Sequence, residues 1–131
     1  MSNQVISIAN APGYHWGGPN GTDCDGWHLV ATTNLSVIQE LMPPGTSEAW
    51  HSHIQARQFF FLLPGELTVE LESQVMLLLA GEGLEVAPGL QHQVMNRSEQ
   101  ATSVLVISQP PSHGDRSSAN DRCEADQNAG T

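Results

Sequence analysis

Short β-strand patterns separated by turn signals fill the middle of the chain, between Trp27 and Ser108. Leu67, Val69 and Leu71 alternate with polar residues, as expected for a strand with one buried face. Turn signals interrupt the apolar runs at Pro43-Pro44-Gly45, Pro64-Gly65 and Pro88-Gly89. No convincing helical period extends over about eleven residues or more, and strands at roughly 8 to 12 residue spacing are typical of a sandwich or barrel. The sequence therefore predicts an all-β fold.

The same pattern divides the chain into three segments. Residues 1–26 are predicted to contain an N-terminal strand and a Gly-rich loop, and residues 27–108 are predicted to form the barrel. Residues 109–131 are polar and contain almost no large apolar side chain. Such a segment cannot bury enough surface to offset its ordering entropy. We expect most of the tail beyond Asp115 to be mobile in solution.

The charge balance excludes several classes of partner. Fourteen acidic residues face four arginines, no lysine is present, and the formal net charge is -10. Nucleic acids and anionic membrane surfaces are bound through clustered cations, which this chain lacks. The absence of lysine also excludes Schiff-base chemistry. The expected partner is a small molecule, either polar or bound to a metal.

The N-terminus and the cysteines indicate a cytoplasmic location. No basic residue precedes the short apolar run Val5–Ala9, whereas a secretory signal needs a positive start and a longer apolar stretch. No run approaches the roughly 18 to 20 apolar residues of a membrane span. Cys24 and Cys123 are too few for a disulfide framework, and we expect both to be reduced.

The sequence His51-Ser52-His53 is the strongest indication of chemistry. Residues two apart on a strand point to the same face, so an inward-facing strand would place two imidazoles side by side. Two neighbouring imidazoles are a common part of a metal site. The alternative is that one histidine is buried and hydrogen-bonded while the other lies at the end of a strand.

The residues around this pair resemble the first motif of the cupin family. Gly45 is followed by five residues, the HxH, four residues, Gln58, six residues and Gly65. The family usually has a glutamate where Gln58 stands. The stretch from Gly81 to Asn96 is similar to the second cupin motif, with His92 at its histidine position and Ala87 in place of a proline.

This resemblance implies a small RmlC-like cupin, which folds as a jelly-roll barrel or double-stranded β-helix. It also implies one divalent metal ion at His51, His53, Gln58 and His92, which could be Ni, Mn, Fe, Zn or Co. Gln58 offers only a neutral carbonyl oxygen, or it hydrogen-bonds a metal-bound water instead. No other cofactor is expected.

Three functions fit this pattern. A neutral ligand set favours a metal acting as a Lewis acid, in isomerase, cyclase or lyase chemistry on a sugar-like or keto-enol metabolite. Some cupins that act on unsaturated or keto sugar acids carry the same HxH, Gln, His pattern. The alternatives are an Fe(II)-dependent dioxygenase and a non-enzymatic domain that binds a small ligand. The sequence favours an enzyme without deciding among these.

Two further residues are weak catalytic candidates. His28 could line the pocket as a proton shuttle, although a surface or strand-end position is the preferred interpretation. Glu48 could be a general base, but strand alternation places it opposite His51 and His53 and favours a solvated position. Four aromatic residues could form a rim for a flat polar ligand or could cap the core: Tyr14, Trp16, Trp27 and Trp50.

The run Phe59-Phe60-Phe61-Leu62-Leu63 is apolar on both faces. One face of such a strand lies inside the barrel, and the other needs a second sheet or a partner subunit to cover it. The sequence therefore predicts a homodimer with two-fold symmetry.

Overall fold

The structure is a computed structural model that describes residues 4–112 and 114–118. The described residues contain eleven strands and no helix, and therefore no helix that could span a membrane. The strands are β1 (Gly13–Trp16), β2 (Cys24–Ala31), β3 (Ser36–Met42), β4 (His51–His53), β5 (Arg57–Leu62), β6 (Glu66–Leu71), β7 (Gln74–Leu79), β8 (Gly83–Val86), β9 (His92–Met95), β10 (Thr102–Gln109) and β11 (Arg116–Ser118).

Two antiparallel sheets form the barrel and confirm the predicted all-β jelly roll. One sheet has six strands in the order β1-β2-β3-β10-β5-β8, and the other has five in the order β11-β4-β9-β6-β7. Neighbours in each sheet are often distant in sequence, because successive segments of the chain cross from one sheet to the other.

Strict alternation of buried and half-buried positions places the core between the sheets. Every second residue of β3 and of β10 is buried. Phe60 and Leu62 of β5 face Leu67 and Val69 of β6 in one apolar cluster. Burial of these side chains provides the main stabilisation, at about 25 cal/mol per Å2 of apolar surface. The alternate residues of β3 and β10 point away from the core and are half-buried or exposed, so the core does not require them to be apolar.

Residues 13–26 differ from the predicted loop, because β1 pairs with β2 along its whole length. Gly26 makes this pairing possible. A Cβ atom there would lie 2.4 Å from Cζ of Tyr14, so the Tyr14 ring lies directly over the glycine. The loop is confined to the turn between the two strands.

β11 was not predicted from the sequence either. This strand lies in the polar C-terminal segment and pairs antiparallel with β4, with Arg116 opposite His53. Of the tail predicted to be mobile beyond Asp115, residues 116–118 form this strand, and the rest, including Cys123, lies outside the residues that the structure describes. Cys24 is a buried free thiol, and burial raises its pKa to about 11.

Candidate metal centre

Three histidines meet inside the barrel. His51 and His53 point inward from β4, and His92 of β9 is the register partner of His51. All three are buried, with at most 2% of their surface exposed. One possible ligand atom from each lies within 4.8 Å of the others, so the group could hold a metal ion.

A backbone carbonyl group selects the tautomer of His92. Its Nδ1 lies 2.9 Å from the carbonyl oxygen of Leu90. Since a carbonyl oxygen only accepts, Nδ1 carries the proton, and Nε2 is left with the lone pair, which is the usual arrangement of a metal-binding histidine. His51 Nδ1 lies between the carbonyl oxygen of Ala49, an acceptor at 2.8 Å, and Nη2 of Arg116, a donor at 3.2 Å.

Several buried polar atoms of this group have no hydrogen-bond partner in the described part of the chain. They are both ring nitrogens of His53, Nε2 of His92 and Oε1 of Gln58. Gln58 Nε2 donates to Ser108 Oγ at 3.0 Å, which leaves Oε1 as the amide atom available inside the barrel. An unpaired buried polar group costs about 1–3 kcal/mol. The three imidazoles could therefore hold a divalent ion, which would satisfy one nitrogen of His53 and Nε2 of His92.

The imidazole of His53 is neutral at ordinary pH. Burial, with smaller contributions from His51 and His92, lowers its pKa to about 4. Because only neutral imidazole binds a metal, the ion would not need to displace a proton from this residue near pH 7.

The predicted solvated position of Glu48 is wrong. Its side chain is 1% exposed, and Oε1 lies 3.8 Å from His51 Nε2. The alternation argument failed because β4 begins only at His51, so residues 48–50 do not follow strand geometry. Glu48 instead lies on a segment where its backbone NH donates to the Val94 carbonyl.

His28 lies within β2 rather than at its end, and it is half-buried. Its ring is 4.9 Å from that of Tyr14. It also lines a small cavity of about 90 Å3 with Ser36, Ile38 and Ser112. The structure does not include His28 in the three-histidine group. Of the four aromatic candidates, Trp16 belongs to the core and Tyr14 packs against it.

Glu40 is a buried acid that the sequence analysis missed. It is 1% exposed, and the Tyr14 hydroxyl donates to its Oε2 at 3.3 Å. Burial, followed by the negative charge of Glu48, raises the pKa of Glu40 well above its ordinary value. Burial and Glu40 raise that of Tyr14 as well. Glu40 shares a strand face with Ile38 and Met42, and this parity was the available signal.

Arg116 was also missed, because nothing in the polar C-terminal sequence marks it. Its side chain is 8% exposed, with Nη2 3.9 Å from Glu48 Oε2. The same nitrogen lies 3.2 Å from His51 Nδ1. A cavity of about 250 Å3 adjoins Glu48 and Arg116 and includes Trp16 and Gln93 in its wall.

Comparison with known proteins gives one family and many similar folds. The family described as a cupin domain matches residues 38–108. No curated protein sequence matches. A predicted oxalate decarboxylase from Thermotoga maritima is 16% identical, with a TM-score of 0.74 over 82% of this chain and 100% of that one.

Two other solved structures are similar to the same degree. A cupin-superfamily sugar phosphate isomerase from Silicibacter pomeroyi is 15% identical, with a TM-score of 0.71 over 82% of this chain and 76% of that one. KdgF from Halomonas sp. is 18% identical, with a TM-score of 0.66 over 74% of this chain and 89% of that one. At these identities the similarity shows the fold, and the site must be argued from its own residues.

Proposed function

The chain belongs to the cupin domain family, and from that premise we propose that it is a metal-dependent enzyme acting on a small polar metabolite. The observation that carries the proposal is the set of buried, unpaired polar atoms on His53, Gln58 and His92 in the described part of the chain. His51, His53 and His92 would hold the ion, together with Oε1 of Gln58. A divalent ion bound there would act as a Lewis acid on a carbonyl or enediol oxygen.

The proton-transfer groups would come from the two buried glutamates. Glu48 would accept a proton at Oε1, which is the oxygen closer to His51. Glu40 has a raised pKa and is hydrogen-bonded to Tyr14, so this pair would keep a proton available for return to the product. Two carboxyl groups in different environments are a usual basis for separate acid and base roles. His28 lies outside this arrangement.

The class of reaction would be isomerase, cyclase or lyase chemistry on a sugar-like or keto-enol substrate. The neutral ligand set leaves the ion with its full charge, which supports Lewis-acid chemistry. The cavity of about 250 Å3 beside Glu48 suits a small ligand. One protein of similar fold is named a sugar phosphate isomerase, and another is named a predicted oxalate decarboxylase. An isomerase and a decarboxylase, which is a lyase, belong to the proposed reaction classes.

Metal content, measured by mass spectrometry on protein purified without oxygen or chelators, tests this proposal. His51→Ala should lose a near-stoichiometric metal, because it removes one of three imidazole ligands. His15→Ala is the matched control, since His15 is an exposed histidine paired with Asp25. Zinc, nickel, manganese or cobalt would support the proposal, whereas iron would favour the Fe(II)-dependent dioxygenase. No metal in the parent protein would contradict it and leave a domain that binds a small ligand.

Two further expectations concern the oligomeric state and the cellular location. We propose a homodimer, for which the outer face of the six-stranded sheet provides the surface discussed below. A cytoplasmic location stays a prediction from the sequence.

A further inference from the structure

Glu48 lies between a histidine of the proposed site and a buried arginine. Oε1 is 3.8 Å from His51 Nε2, and Oε2 is 3.9 Å from Arg116 Nη2. Both charged side chains are at least nine-tenths buried. Since buried charges are tolerated only when they are compensated, the guanidinium stabilises the carboxylate where it lies. The same Nη2 is 3.2 Å from His51 Nδ1, so Arg116 contacts both side chains.

The backbone around Arg116 is firmly attached to the barrel. β11 pairs with β4, and the Asp115 carboxylate accepts hydrogen bonds from the backbone NH groups that follow β4. These NH groups belong to Ile54, Gln55 and Ala56, at 3.1, 2.9 and 2.8 Å. The match to the cupin domain ends at residue 108, so this attachment lies outside the matched residues.

The carboxylate of Glu48 is close to joining the ligand set. Two atoms bound to one ion at roughly 2.1 Å lie about 3 to 4 Å apart, and Glu48 Oε1 is at such a distance from His51 Nε2. Yet Glu48 does not belong to the group whose ligand atoms all lie within 4.8 Å of one another. Glu48 therefore approaches one histidine of the group without belonging to it.

We propose that Arg116 is a positioning residue that holds Glu48 outside the coordination sphere of the metal. The carboxylate then remains a base, and the neutral Gln58 occupies the position where the family usually has a glutamate. The proposal rests on the proposed function, because it requires a metal at the three histidines.

Titration with Co2+, followed by visible absorbance and by competition with a chelator, tests this role. In Arg116→Gln, Glu48 loses its ion pair with the guanidinium and should bind the ion. Co2+ affinity should rise on the order of tenfold, and the absorbance bands should change as an oxygen ligand is added. In the Glu48→Gln background the same substitution should leave the bands unchanged and should have a much smaller effect on affinity. Arg116→Lys should restore most of the parent behaviour.

The controls separate this role from general effects. Arg97→Gln makes the same charge change at an exposed residue and should alter neither affinity nor spectrum. Loss of positive charge alone would raise affinity equally in both Glu48 backgrounds without a spectral change, and that result would overturn the proposal. If Arg116→Gln does not fold, Asp115→Ala must produce the same spectral change, because it detaches β11. A parent protein that binds no Co2+ would overturn the proposed function itself.

Discussion

At the scale of single residues, the two buried glutamates have different surroundings. Glu48 lies close to Arg116, a permanent cation. Glu40 accepts a hydrogen bond from the neutral hydroxyl of Tyr14, and the charge of Glu48 disfavours the ionisation of Glu40. The same side chain is therefore suited to carry a negative charge at one position and a proton at the other.

The substitution Glu40→Gln should stabilise the protein progressively as the pH rises. The pKa of Glu40 is higher in the folded state than the 4.5 of an exposed glutamate, so its contribution is fully present below about pH 4.5. The contribution is lost as the pH rises toward the folded pKa. The difference in unfolding free energy between variant and parent should grow in that interval with a limiting slope of about 1.4 kcal/mol per pH unit.

Urea denaturation of metal-free protein at several pH values measures this difference. Glutamine is nearly isosteric with glutamate and can still accept the Tyr14 hydroxyl hydrogen bond, so the comparison isolates the charge. The titration of other groups, including His53, is common to both proteins and cancels in the difference. A difference that stays constant with pH would show that Glu40 has an ordinary pKa.

The sequence predicted the histidines correctly but misplaced or missed the groups around them. The positions of His51, His53 and His92 depend on local strand parity and motif spacing, which are visible in one sequence. The contact between Arg116 and Glu48 depends on the pairing of β11 with β4, and no local sequence pattern predicts this long-range pairing. The buried position of Glu48 depends on where β4 begins, which spacing alone does not show.

At the scale of strands, the alternating and apolar runs from Trp27 to Ser108 were sufficient to predict most of the sheets. A strand was predicted within residues 1–26 but not located, because the sequence of β1 reads as part of the Gly-rich loop; its pairing brings Tyr14 against Gly26. β11 was missed because its residues are polar. Backbone pairing to β4 and the hydrogen bonds of Asp115 hold this strand in place. A pattern of apolar residues in the sequence predicts neither interaction.

The two glycines that bound the first motif should differ in their tolerance of a side chain. Gly45 and Gly65 both have positive φ, of 81° and 113°. A Cβ atom at Gly45 would meet nothing within 4 Å, whereas one at Gly65 would lie 2.8 Å from the Cα of Thr102. Thr102 cannot move aside easily, because its hydroxyl is hydrogen-bonded to the backbone of Glu66.

Gly65→Ala should therefore reduce the unfolding free energy by about 2 to 4 kcal/mol, through backbone strain and steric overlap. Gly45→Ala should cost only about 1 kcal/mol, because it introduces the strain without the overlap. Chemical denaturation of the two variants beside the parent protein gives both values. Equal losses would mean that φ alone decides the cost and that the β5–β6 turn can open away from Thr102.

At the scale of the whole molecule, charge limits where two copies of the chain could meet. The formal net charge of -10 opposes association through most surfaces. The outer face of the six-stranded sheet is different, since half-buried or exposed apolar residues of three adjacent strands cover it. They are Val37 and Leu41 of β3, Leu105 and Ile107 of β10, and Phe59 and Phe61 of β5.

This apolar face is continuous, because Phe59 is the register partner of Ile107 and Phe61 that of Leu105. The phenylalanine rings are stacked with their centroids 6.4 Å apart. Two acids border this face: Glu85 is paired with Arg57, and Asp25, the register partner of Leu41, is paired with His15. A second apolar surface, on the outer side of β7, has acidic residues of β6 beside it.

Ile107→Glu should therefore convert the proposed dimer to a monomer. In a two-fold interface each copy contributes the substitution, so two uncompensated carboxylates would be buried at once. Leu77→Glu is the matched control, since Leu77 is an exposed apolar residue of β7 and the variant should stay dimeric. Sedimentation velocity measures both. A monomeric parent protein would contradict the homodimer. Dissociation caused by Leu77→Glu alone would assign the interface to β7. In that case the neighbouring Glu66 and Glu70 would need cations from the partner subunit.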